Sequence, residues 1–259
     1  MGCISSRSKD EITEVDSIIT NFEISLGFST LDAYIVDRTF HRFSCNKSMS
    51  YVQLKKAFSE LKLNYNDFEC FYSKFIVKNV FNMRKLNTLG ILLSSSKDTD
   101  KLKVLFQNYD DDVSGTLAHD EIKIMLKDIS EIFCEYTPQY SFSLSSGNNE
   151  MYEYVKTVNS IRKSIVTQII GNIIEDKENV SIDDLIKACK YDEGVESILY
   201  PQKLRSYCIS VRKSILKTVE FAIETLHRKE SLPDIGIEDE ETIANRNSKS
   251  RRRSRRKIY

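Results

Sequence analysis

Proline occurs only 3 times and glycine 8 times in 259 residues. With so few chain breakers, and with abundant leucine, isoleucine and lysine, the composition predicts a mostly helical, all-α chain. An excess of charge of either sign is also missing: Lys plus Arg and Asp plus Glu both count 38, so global charge singles out no partner. No apolar run approaches the roughly 20 residues that span a bilayer as a helix, and the first residues lack the apolar core of a secretory signal. Contact with a membrane, if there is any, must then come by another route. The three histidines, His41, His119 and His227, are isolated, and the six cysteines form no CxxC pair and no ligand spacing. Most of those cysteines read as reduced, small, buried side chains. The sequons at Asn46 and Asn179 carry no weight without a secretory signal. No Ser/His/Asp order, glycine-rich phosphate loop or paired acid motif stands out, and the chain reads as no enzyme.

What is present is the stretch "DDDVSGTLAHDE", Asp110 to Glu121. Calcium takes six to eight hard oxygen ligands, and the twelve-residue loop that supplies them places donors at positions 1, 3, 5, 7 and 12. Asp110, Asp112 and Ser114 fill the first three, Thr116 offers its carbonyl, and Glu121 is the bidentate twelfth. Gly115 falls where the chain turns with a backbone angle that a Cβ disfavours. Ala118 at position 9 has no side-chain oxygen, so water is expected there. Leu102, Leu105, Phe106 and Tyr109 before the loop, and Ile122, Met125, Leu126 and Ile129 after it, each trace one helix face. The competing reading is a polar turn between helices, and magnesium is an alternative ion.

The start, "MGCISSRSK", fits the pattern for myristoylation of Gly2 after removal of Met1. One myristoyl chain binds a membrane only marginally, with a partition constant near ~10⁴ M⁻¹, and a palmitoyl group on Cys3 is the expected second signal. Arg7 and Lys9 add attraction to anionic lipid. The alternative is an ordinary terminus in which Gly2 and Cys3 are incidental.

Helix-loop-helix units seldom stand alone, because one unit leaves an apolar face open. Three further windows keep the apolar frame without the ligands. "FHRFSCNKSMSYVQLKKAF" has Met49 at position 8 and is about one residue short. "FYSKFIVKNVFNMRKLNTLGILL" has Phe81 there, and Lys85 at position 12 would put an ammonium in the metal site. "IIGNIIEDKENVSIDDLIKACK" has Val180 and Asp184 at those positions, with Ile173 at position 1, and its Val180 is expected to pair with Leu117. Taking Gln53, Lys85, Glu121 and Asp184 as twelfth positions, the intervals are 32, 36 and 63 residues. The long interval requires an insertion, read as a polar, loop-like segment near 130–153.

These features resemble the EF-hand superfamily, in particular its calcineurin-B and neuronal calcium sensor branch, through the signature from Lys101 to Ile122. "DRTFHRF" and "GVESILYP" are similar to calaxin-like EF-hand regulators of ciliary dynein. The resemblance spans about residues 30 to 200 and implies four helix-loop-helix units in two lobes, one working loop and Ca²⁺ as the ion. The expected organisation is an acylated segment 1–20, an N-terminal lobe 21–95, a C-terminal lobe 96–190, a helix over 191–230 and a disordered tail 231–259.

After Pro201, Leu204, Cys208, Val211, Ile215, Val219, Ala222 and Leu226 form an apolar stripe, with Lys203, Arg205, Arg212, Lys213 and Lys217 read as lying off it. Core packing, a plug in the protein's own groove and an external partner are the readings of this helix. The tail "RNSKSRRRSRRK" carries eight basic residues without an apolar one. With an acylated end on the same chain, anionic lipid is its most economical partner, ahead of nuclear import or nucleic acid, for which no aromatic residue is interleaved to stack on bases; the alternative is a solvated tail that pairs loosely with Glu238 to Glu241.

The combined expectation is a membrane-tethered, non-enzymatic calcium sensor or adaptor on the cytoplasmic face of a plasma, ciliary or flagellar membrane. It would relay one Ca²⁺ to an unidentified protein target, with Glu121 swinging in to reorient the flanking helices. The alternatives are a calaxin-like regulator in the cytoplasm or cilium, a structural adaptor with a constitutive partner site, and binding of nucleic acid by the tail.

Overall fold

The computed structural model describes residues 14–145 and 148–230, and it is predominantly helical. Helices α1 (Glu14–Ser25) and α2 (Ala33–Phe43) lead to strand β1 (Ser48–Met49) and helix α3 (Tyr51–Glu60). Next come α4 (Glu69–Tyr72), β2 (Ile76–Val77), β3 (Val80–Asn82) and α5 (Met83–Leu93). The sequence then repeats helix, strand, helix as α6 (Asp98–Tyr109), β4 (Thr116–Ala118) and α7 (His119–Glu131). After α8 (Thr137–Leu144) it does so again as α9 (Asn149–Ile174), β5 (Asn179–Ser181) and α10 (Ile182–Tyr191). Two more helices complete the described residues, α11 (Glu193–Ser197) and α12 (Pro201–Glu230). No helix among the described residues is long and apolar enough to cross a membrane.

Side chains just past the strands start the helices. Ser50 and Gln53 cap α3 reciprocally, Ser181 and Asp184 do the same for α10, and Asn82 accepts the Lys85 N–H at the head of α5. Each such cap satisfies donors that a helix start leaves open, at about 1 kcal/mol apiece. The strands join these units in pairs. Met49 lies opposite Phe81 in the antiparallel β1–β3 pair, and Leu117 opposite Val180 in β4–β5, the register that the spacing of the two windows predicts. All four side chains are buried.

The first two windows close as tight turns. Asn46 and Lys47 take φ of 48° and 56° between the bridged Cys45 and Ser48, while Lys78 and Asn79 take 51° and 66° between β2 and β3. Two successive residues at positive φ match the right-handed twist of a hairpin. The second window is therefore a hairpin that leads directly into α5.

The division expected near residue 95 does not split the core. Helix α5 is buried on nearly every side, Met83, Leu86, Leu89, Ile91 and Leu92 included, because α2, α6 and α7 all pack on it. One contiguous apolar cluster runs from Phe22 to Cys208. Among the described residues the chain divides into two units between Lys213 and Ser214, within α12.

Two sequence expectations are corrected. The segment read as a polar loop near 130–153 is largely helical: a π-helical turn over Ile132–Tyr136 continues α7 into α8. Two of its polar residues, Thr137 and Ser141, misled because they are buried; the Thr137 hydroxyl donates to Glu23 at 3.0 Å. Arg205, read as lying on the solvated side of its helix, is fully buried. Its Nε donates to Asp16 at 2.8 Å and its Nη1 to Glu23 at 2.6 Å, so α12 is fastened to two acids of α1. Burial pushes the Glu23 carboxyl up, against the pull of Arg205. Helix α1 also crosses the boundary expected at residue 20. Along the apolar stripe, Leu204 and Cys208 are core, whereas Ile215 and Val219, in the second unit, are exposed.

Removing one member of a buried ion group strands the others without a partner, at about 3–5 kcal/mol. Arg205→Leu is expected to lower the unfolding free energy by that amount, read as a lower urea midpoint, whereas Lys213→Leu at an exposed position of the same helix should shift it little.

Candidate metal centre

The loop between α6 and α7 is built from its two flanks inward. Leu102, Leu105, Phe106 and Tyr109 on α6 and Ile122, Met125, Leu126 and Ile129 on α7 are all buried, which fixes where the chain leaves one helix and enters the next. The Tyr109 hydroxyl donates to Asp128 at 3.0 Å, adding a polar tie between the two helices. Between them the loop folds on its own carboxylates. Asp110 accepts the N–H groups of Ser114 and Gly115 at 3.0 Å each, and Asp112 also accepts that of Ser114 at 3.0 Å. Glu121 spans the loop, one oxygen on the Asp111 N–H at 2.8 Å and the other on the Ala118 N–H at 2.9 Å. The Ser114 hydroxyl donates to the Thr116 carbonyl oxygen at 2.9 Å. All five residues singled out in the sequence, Asp110, Asp112, Ser114, Thr116 and Glu121, thus sit in one loop.

One ligand oxygen from each of Asp110, Asp112 and Glu121 lies within 4.8 Å of the others, the one such acidic group among the described residues. Two carboxylates at that distance repel by about 1 kcal/mol in water and roughly 3–4 kcal/mol at an effective dielectric near 20. The Ser114 hydroxyl and N–H hold the Asp112 carboxyl below the usual carboxylate range, which keeps it ionised. The donor set is all oxygen and mostly anionic, so it fits a hard divalent cation; thiolate or imidazole ligands for softer metals are absent from it.

Two backbone angles shape the ring. Gly115 has φ 77° with open space around a would-be Cβ, so the backbone angle and not crowding selects glycine. Val113 has φ 57°, a conformation that a β-branched residue adopts only under strain, and its side chain is 86% exposed.

The neighbouring windows carry their own cations. Lys177 Nζ sits 2.6 Å from Asp184 Oδ1, and its hydrogen bond pulls that carboxyl down to about 2. Ile173, at the first position of that window, is buried. Lys85, expected to point its ammonium into the second loop, instead reaches Glu131 at 2.6 Å and Asp128 at 3.3 Å on α7. The reason is the hairpin, which leaves no loop interior, together with the packing of α5 on α7.

The sequence reading missed the cations nearest the ring. Asp111, between two of the acids, is held by Lys47 and by Arg84 Nη2 at 2.6 and 2.7 Å. Against partial burial, these two cations hold its carboxyl below the usual range. The available signal was an acid at a non-ligand loop position together with a basic residue in the first upstream turn and another at the start of α5. Gly2, Cys3 and the basic tail lie outside the described residues. No known protein family matches this chain, and a search of curated proteins finds no match.

Because Val113 buries almost nothing, Val113→Asn should relieve backbone strain without losing packing, since asparagine tolerates positive φ. A gain of about 0.5–1 kcal/mol in unfolding free energy is expected from chemical denaturation.

Proposed function

We propose that this chain is a non-enzymatic calcium-binding regulatory protein of the EF-hand type. It binds one Ca²⁺ through Asp110, Asp112, Ser114, the Thr116 carbonyl and Glu121, and relays that event to a protein partner. The observation that carries the reading is the three-carboxylate ring of this loop, with no ammonium inside it, mounted on a strand paired with a second helix-strand-helix unit. The register Leu117 to Val180 supports the relation between the units, because it matches the positions that would pair in tandem loops. Bound in the ring, the ion would supply the charge compensation that the carboxylates lack. The residues' part is to hold oxygens in place: Ser114 and Gly115 orient Asp110, and Glu121 spans the ends of the loop.

Acylation at Gly2 and Cys3 would place this protein at the cytoplasmic face of a membrane, with the basic tail as an added contact to anionic lipid. A ciliary regulator resembling calaxin-like proteins belongs to the same reading with a different address. A second reading is favoured by one feature. Glu121 is engaged by two backbone N–H groups in a closed geometry, which suits an adaptor whose ion only stabilises the fold.

Binding of a hydrophobic dye separates these. The sensor reading expects dye fluorescence to rise with calcium, to respond less to magnesium and to stay flat for Glu121→Gln; bound calcium with no change in the dye would leave the adaptor. For the anchor, a myristate analogue fed to expressing cells is expected to label the wild type and not Gly2→Ala, and an unlabelled wild type ends that part of the proposal.

A further inference from the structure

An open groove of about 390 Å³ lies where the two upstream turns meet α7. Its rim carries the cations Lys47, Lys78 and Arg84, and its walls include the exposed side chains of Val77, Val80 and Ile124. The Asp128 carboxylate in its lining is paired with Lys85 at 3.3 Å. Arg84 is no loose surface side chain. Its guanidinium lies 5.4 Å from the centre of the Tyr109 ring, and its backbone oxygen accepts from Asn108 at 3.0 Å and Thr88 at 2.9 Å. The Lys47 carbonyl accepts the Met83 N–H at 3.0 Å, which fixes the lysine turn beside α5.

A carboxylate of the chain itself shows what these cations select. Asp111 places both oxygens on Arg84 Nη2 and one on Lys47, so two cations share one acid and the rim keeps a positive excess. The walls add a requirement for branched apolar side chains. Strand β2 is at the edge of its three-stranded sheet, where an extended segment can add alongside. Charge, apolar walls and a sheet edge together suit a peptide better than a lipid surface, which needs neither the edge nor a bounded groove.

We infer that this groove docks an acidic, apolar segment of a protein partner, whose carboxylate takes the place of Asp111 on Arg84 and Lys47. Asp111 acts as an internal competitor for that position. It lies between Asp110 and Asp112, and its N–H holds Glu121, so a rearrangement of the ring carries it along. The regulation by the ion rests on the function proposed above; the groove itself does not.

The test is fluorescence anisotropy with a labelled peptide of alternating glutamate and leucine, using the full chain with calcium chelated. Asp111→Asn should bind the peptide about fivefold to tenfold more tightly than wild type, the scale of releasing a partly exposed ion pair. Adding Arg84→Gln, or separately Val80→Ser, to that variant should remove the gain, and a lysine–leucine peptide should not bind. The Val80 variant alters only an exposed side chain, so its effect is readable even if the Arg84 change perturbs folding. No gain in Asp111→Asn, a gain that survives both additions, or binding to phosphatidylserine vesicles that rises in Asp111→Asn and falls again with Arg84→Gln while the peptide stays unbound overturns the proposal. Calcium uptake measured on the wild type keeps the two claims apart. Peptide binding without calcium uptake removes the ion site and leaves the groove, whereas calcium uptake without peptide binding in Asp111→Asn does the reverse.

Discussion

The β4–β5 pair, with Leu117 opposite Val180, ties the ends of four helices into one body. A helix-strand-helix unit has one apolar face, and leaving that face in water costs roughly 25 cal/mol per Å². Pairing the strands brings two such faces together and buries both central side chains completely. The β1–β3 pair does the same for Met49 and Phe81, and α5, packed against α2, α6 and α7, joins the pairs into one core. The carboxylate ring depends on this arrangement. An exposed loop of mutually repelling acids keeps its shape because the helices on either side cannot move apart without opening that core.

Arg205 imposes a second constraint of a different kind. Its guanidinium is fully buried with Asp16 and Glu23, so the first described helix and the last are held by charge in the interior. Such a group contributes little net stability compared with an apolar replacement, but it penalises any arrangement in which one partner is missing. It therefore specifies how α1 and α12 meet. The loop windows use cations in a related way. Lys177 sits on Asp184, Lys85 on Asp128 and Glu131, and Lys47 with Arg84 on Asp111, while Asp110, Asp112 and Glu121 are bonded only within their loop.

Local patterns made the helices of the metal loop and the strand register legible in the sequence. Leu102 to Tyr109 and Ile122 to Ile129 follow a helical period, and an apolar residue four places before each presumed twelfth position marks the strand. Long-range polar contacts were not legible. Arg205 looked solvated because periodicity treats every arginine as polar, and only the fold brings Asp16 and Glu23 to it. The stretch after Cys134 looked like a loop because Thr137 and Ser141 are polar, yet both are buried. The collapse of the second window into a hairpin depends on Lys78 and Asn79 both adopting positive φ, which lysine does not advertise.

The central claim is that one loop binds one calcium ion. A calorimetric titration of Ca²⁺ into the full chain, repeated with Glu121→Gln, tests it most directly. The account predicts a stoichiometry of one for the wild type and loss of binding in the variant. Equal binding by Glu121→Gln, or no calcium uptake by the wild type, would contradict it.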